Sequence, residues 1–201
     1  MSTVLGSADL ARFGRELDSV RRQADALTRD LSPEQARWSP GPGRWSTLQV
    51  INHLRTTNDL YMEAIRHAIE AARAAGHTGA DSYRPGWLGG WMVKSMEPPV
   101  RRRFKSPGLF APKEGALPGW SSELAGYLAT HALLEERLRA ADGIKLNRAR
   151  VASPVNRLIR VNLGDAIALV LAHERRHLWQ LRGIRSDPEF PALHPAAVYT
   201  V

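Results

Sequence analysis

Apolar residues recur at steps of three and four through four stretches of the chain, the spacing that lines one face of a 3.6-residue helix. In the first stretch Leu10, Phe13, Leu17, Val20, Ala24, Leu27 and Leu31 form a narrow seam, which predicts a helix from Ala8 to Asp30. Ser32-Pro33 interrupts the pattern and Pro40-Gly-Pro-Gly43 marks a loop. Ser46 and Gln49 then have the spacing of a capping box, in which each side chain satisfies the other's free backbone N–H. The second helix opens there, runs its apolar face through Val50, Leu54, Tyr61, Met62 and Ile65, and ends near Ala75-Gly76. A third is predicted from Ser121 to Asp142, with Leu124, Leu128, His131, Leu134 and Leu138 on one face and Gly143 as its stop. After Ser153-Pro154 the fourth opens near Asn162, where Asp165 suits the helix dipole, and continues to Gly183. Ala166, Leu169, Val170, His173, His177 and Leu181 share its inner face. Strand patterning is slight, and the proline-rich tail 186–201 reads as irregular.

Residues 77–119 are different in kind, holding six prolines, seven glycines and five aromatics around a short helical stretch from Trp87 to Met96. A structureless segment of that length is unusual inside a compact domain, so it is expected to be ordered against the helices and to cover a site. Four amphipathic helices predict an all-α four-helix bundle, one domain over residues 1–201. His53 lies ~10 Å into the second helix, and His173 and His177 lie ~9–15 Å before the end of the fourth, at 1.5 Å per residue. Those depths match if the two helices are antiparallel neighbours. The long crossover connection between helices two and three permits this, and the expected order is up-down-down-up.

His173 and His177 are the chemically telling pair. A four-residue step stacks both imidazoles on one helix face, and His53 sits at a matching place at the edge of the second helix's apolar face. Burying imidazoles on a Leu/Ala/Val stripe is unfavourable unless they find partners. Three neutral imidazoles converging between helices would form a divalent-metal site with a coordination position left for water or substrate. The chain has no cysteine, so thiolate ligands and disulfides are excluded. His67, His77 and His194 read as exposed or structural, and His131 as a hydrogen-bonded core histidine.

The pair also spells His-Glu-x-x-His, the metalloprotease motif in which the glutamate is general base. The extended pattern asks for Gly and His where this chain has Gln180 and Gly183, and Glu189 and His194 lie in the irregular tail. The protease reading is therefore set aside, and Glu174, ~100° around the helix from His173, is expected to face solvent.

A formal charge of +8, from 28 basic and 20 acidic residues, is compatible with polyanion partners. Most of the basic residues are scattered along helices, and only Arg101-Arg-Arg103 with Lys105 gathers locally, which reads as a solvated surface. Met1 to Ser7 lacks the features of a signal peptide, and the longest apolar run, Ala166 to Ala172, is too short to span a bilayer. A cytoplasmic location is expected.

Three segments resemble the DinB/YfiT-like superfamily of metal-binding four-helix bundles: Arg44 to Leu54, Lys105 to Pro112, and Ala172 to Gln180. The resemblance implies an up-down-down-up bundle and a divalent metal, commonly zinc or nickel, held by His53, His173 and His177. It also implies homodimers, and chemistry with small intracellular thiols in some relatives. The leading expectation is a metal-dependent enzyme on a small-molecule substrate, a thiol S-transferase or a related hydrolase, with metal-bound water or thiolate as nucleophile. Arg176 is a candidate anion contact, and Trp87, Trp91, Phe104 and Phe110 are candidate walls of the pocket. The competing expectation is a non-catalytic nucleic-acid or membrane-surface binding protein with a structural metal.

Overall fold

A computed structural model describes residues 6–79, 81–100, 106–112, 117 and 119–192. The described residues are mostly helical, with one small sheet: α1 (Ala8–Thr28), α2 (Pro33–Arg37), α3 (Thr47–Ala74), α4 (Trp87–Met96), α5 (Trp120–Ala140), β1 (Arg150–Ala152), β2 (Arg160–Asn162) and α6 (Leu163–Arg185). Local chemistry sets the helix starts. Ser46 and Gln49 make the expected capping box at α3, and Asn162 Oδ1 accepts from the Asp165 amide at 2.7 Å to open α6. Gly76 and Gly143 follow α3 and α5 with φ of 68° and 75°, the left-handed turn that glycine accommodates without strain.

Three features depart from the reading of the sequence. Ser32-Pro33 lies beyond the end of α1, as expected, but also opens a further short helix: Ser32 caps the Gln35 amide, Gln35 returns the bond, and Pro33 occupies the first turn of α2. Residues 150–162 form an antiparallel hairpin in which Arg150 faces Asn162 and Ala152 faces Arg160, although the sequence showed little strand pattern. β1 buries Val151 alone and β2 buries Val161 and Asn162 side by side, so neither strand displays a period of two. The inner face of α5 keeps His131, Leu134 and Leu138 from the expected set but not Leu128. Tyr127 is fully buried and Leu128 is 40% exposed, because α5 packs through Glu123, Tyr127, Thr130, His131, Leu134 and Leu138.

The core is one cluster contributed by α1, α3, α5 and α6, with Phe13, Leu17, Ile51, Leu54, Ile65, Leu134, Leu171 and Leu178 among its buried members. Pairs across α3 and α5 run Arg55 to Glu123, Asn58 to Thr130 and Met62 to Arg137. Between α1 and α6 they run Glu16 to Arg175, Gln23 to Arg182 and Leu27 to Arg185.

The connection after α3 is strapped onto the start of α6, as expected of an ordered segment. Tyr83 donates its hydroxyl to Asp165 Oδ1 at 2.8 Å, and the Gly86 amide reaches the same carboxylate at 3.1 Å. Gly89 and Gly164 permit this closeness: a Cβ on Gly89 would lie 2.3 Å from Asp165, and one on Gly164 2.2 Å from the Tyr83 ring. Leu88, Met92, Val93 and Met96 pack α4 onto the core. The Trp87 and Trp91 rings point away, 90% and 63% exposed, so they do not wall the histidine site. Arg101 to Lys105, with Phe104, and His194 lie outside the described residues. No helix among the described residues is long and apolar enough to cross a membrane.

Candidate metal centre

His53 occupies the second turn of α3, and His173 and His177 are one turn apart on α6, which packs against α3. Their ring nitrogens meet. His53 Nε2 and His177 Nε2 stand 3.0 and 3.1 Å from His173 Nε2, and all three ligand atoms lie within 4.8 Å of one another. The other nitrogens look outward. His53 Nδ1 donates to the Phe110 carbonyl at 2.8 Å, and His177 Nδ1 donates to Gln180 Oε1 at 2.9 Å. A carbonyl oxygen can only accept, so each of these rings carries its proton on Nδ1 and turns the Nε2 lone pair inward. His173 Nδ1 is buried without a hydrogen-bond partner.

The electrostatics agree with neutral rings. Burial, chiefly, holds His53 below the ordinary histidine range, against the opposing pull of the Phe110 carbonyl and Glu174. Burial pushes His173 well down, with the other two rings and the Arg176 guanidinium adding to it. His177 falls to about 3, again first through burial and then through His53 and Arg176, with Gln180 opposing. Two inward lone pairs, those of His53 and His177, thus face His173 Nε2, whose own ring has no outer acceptor to set its tautomer. The donor set fits a cation: three clustered neutral imidazole nitrogens, two of them fixed by an outer acceptor, are the usual ligands of zinc and related ions. Ion–nitrogen bonds of ~2.0–2.1 Å set tetrahedral nitrogens ~3.3–3.4 Å apart, a few tenths of an ångström wider than the separations here.

Trp45 and Phe110 enclose the rings. Trp45 stacks at 19° and 6.3 Å over His177 and lies 5.0 Å from His53, while the buried Phe110 meets His53 edge-on at 6.4 Å. Phe110 was anticipated as a wall. Trp45 and Gln180 were not assigned roles, although Gln180 sits one helical turn beyond His177, the spacing at which side chains meet. Nothing local foretells Phe110 as the acceptor for a ring 57 residues away. Arg176 is half-buried and close enough for its charge to bear on His173 and His177.

Glu174 corrects the expectation of solvent exposure. It is fully buried, accepting from Tyr127 Oη and from Asn58 Nδ2, each at 2.6 Å, with His131 Nε2 at 3.5 Å. The step of ~100° carries it into the space between α3 and α5. Burial raises its carboxyl, but His131, Asn58 and Tyr127 together outweigh that and leave it below the ordinary range. It is an ionised core acceptor held by two hydrogen-bond donors with His131 beside it, which disfavours a general-base role at the rings. His131 is a core histidine beside it, 2% exposed and apart from the ring cluster. His67 is exposed on α3, paired with Glu63 at 2.9 Å.

A family model, described as DinB superfamily, matches residues 16–181. No match is found among curated proteins or among solved structures.

Proposed function

Because the chain belongs to the DinB superfamily, we propose that it is a divalent-metal protein whose ligands are His53, His173 and His177, and that it acts as a metal-dependent enzyme on a small molecule. The observation that carries this reading is the convergence of three inward Nε2 atoms, two of them backed by Nδ1 acceptors. Zinc or nickel suits three imidazoles, and three protein ligands leave a further coordination position. When bound there, the ion would lower the pKa of a water or a low-molecular-weight thiol and supply a nucleophile near neutral pH. That chemistry supports a thiol S-transferase or a related hydrolase.

The chain's own residues would prepare and limit the step. The Phe110 carbonyl and Gln180 fix two of the rings in the tautomer that presents Nε2. Trp45 and Phe110 supply apolar walls that restrict water around the nitrogens. Arg176 adds positive charge on the α6 side, suited to an anionic group on the substrate.

The helices are read as an up-down-down-up bundle. Pairs between α3 and α5 ascend together along both helices, as do those between α1 and α6, which supports parallel neighbours. Between α1 and α5, Arg21 meets Glu135 while Leu31 meets Trp120, a descending order that supports an antiparallel pair. The connection between α3 and α5 then supplies the crossover.

Elemental analysis of protein purified without a histidine tag tests the reading. Near-stoichiometric transition metal, lost in His53→Ala and in His177→Ala, is expected. Turnover of thiol-reactive electrophiles should follow metal content; equal turnover by the metal-free protein would overturn the catalytic part.

A further inference from the structure

Eight large hydrophobic side chains are exposed among the described residues, and five of them belong to two adjoining elements: Trp87 and Trp91 on α4, and Val155, Leu158 and Ile159 at the tip of the β1–β2 hairpin. The concentration is what matters, since single exposed apolar residues are ordinary and clustered ones mark contact surfaces. Trp87, Trp91 and Lys94 follow one another at steps of four and three, one outward stripe of α4, and all three are exposed. Leu158 is 91% exposed and Trp87 90%, so neither ring nor branched chain is spent on the core. α4 lies against β2, the strand that leads out of the hairpin tip.

The surrounding charge is of one sign. Residues 82–96 and 148–162 contain no aspartate or glutamate, and their six basic residues, Arg84, Lys94, Arg148, Arg150, Arg157 and Arg160, are all exposed. Carboxylates bordering these stretches are already engaged: Asp81 with the Leu146 and Asn147 amides, Glu97 with Arg175, and Asp165 with Tyr83 and Gly86. We propose that α4 and the hairpin tip form a docking surface for an anionic lipid bilayer, with Trp87, Trp91 and Leu158 entering the interface and the arginines meeting lipid phosphates.

Charge and side-chain chemistry select this occupant. A second copy mated through the same face would set six like charges against six, whereas an anionic surface neutralises them. A nucleic acid would also neutralise them, but its bases are held by stacking on aromatic rings, which Val155, Leu158 and Ile159 cannot offer. Tryptophan at headgroup depth beside inserting aliphatic chains and basic residues is the composition of a helix or loop lying in a membrane surface.

The test is flotation of the intact protein with vesicles of phosphatidylcholine alone or mixed with phosphatidylserine, with intrinsic tryptophan emission recorded in parallel. Binding to the anionic vesicles only, weakening steeply with salt and accompanied by a blue shift, is expected. Leu158→Asp and the double variant Trp87→Ala/Trp91→Ala should each reduce partitioning about tenfold or more, while metal content and circular dichroism stay as in the parent. Absence of binding, or binding unaffected by these variants, would overturn the proposal. So would patch-dependent dimerisation without lipid, or patch-dependent binding of a fluorescent oligonucleotide in preference to vesicles.

Discussion

The Tyr127 hydroxyl donates to Glu174 Oε2 at 2.6 Å in the interior, although Glu174 directly follows His173 in the chain. One helical step thus separates a ring nitrogen facing the candidate metal centre from a carboxylate that ties α6 to α3 and α5. Glu174→Ala would leave the buried Tyr127 and Asn58 donors without their acceptor. It is expected to cost about 2–4 kcal/mol in denaturant unfolding. Glu174→Gln keeps the volume and one acceptor and should cost less, with metal stoichiometry retained. Unchanged unfolding midpoints in both variants would show that this network does not stabilise the protein.

Gln180 is expected to control metal affinity without touching the ion. Its Oε1 holds the His177 Nδ1 proton, and removing such an outer acceptor weakens metal binding about 10–100-fold. Gln180→Ala should show this loss in competition with a chromophoric chelator, whereas Gln180→Glu, a stronger acceptor, should bind at least as tightly as the parent.

The metal-free chain should lose stability as pH falls below the ordinary histidine pKa. Burial first, then neighbouring charge, depresses His53, His173 and His177, with His177 at about 3. The folded state therefore binds fewer protons than the unfolded chain, whose histidines titrate near 6.5. Stability is fully present above that value and declines with acidification at roughly 1.4 kcal/mol per pH unit for each fully linked ring. Urea unfolding with chelator from pH 7.5 to 4.5 should reveal the slope, and His177→Ala should flatten it.

The strap over the start of α6 depends on two absent side chains. Gly164→Ala would drive a Cβ to 2.2 Å from the Tyr83 ring, and Gly89→Ala to 2.3 Å from Asp165. Each is expected to lower stability by about 1–3 kcal/mol and to speed proteolytic cleavage between residues 77 and 100. Gly108→Ala, with nothing within 4 Å of the added carbon, is the control and should leave both measurements unchanged.

Much of the helical layout was legible because its signals are local. The capping box at Ser46 and Gln49, the Asn162 start and the Gly76 and Gly143 stops each depend on residues within a turn of the boundary they set. Ser32-Pro33 carried such a signal too, since Gln35 completes its box, but proline invites reading as a break. The hairpin was hidden because its strands are three residues long, one burying a single position and the other two adjacent ones, which leaves no period to detect. On α5, Leu128 and Tyr127 compete for the inner face. Hydrophobicity favours leucine, but the buried Glu174 carboxylate needs the tyrosine hydroxyl.

By itself the sequence determined where the four long helices lie and that His53, His173 and His177 share the type and spacing of a ligand set. Helical periodicity is written into the order of side chains and needs no partner to be read. Only the tertiary structure decided that the Nε2 atoms of His53 and His177 come to 3.0 and 3.1 Å from that of His173, that Phe110 and Gln180 hold two of the rings in register, and that Glu174 turns inward while Trp87 turns out. Those outcomes depend on which surface of one helix packs against another, a choice made by the summed burial of side chains far apart in the chain.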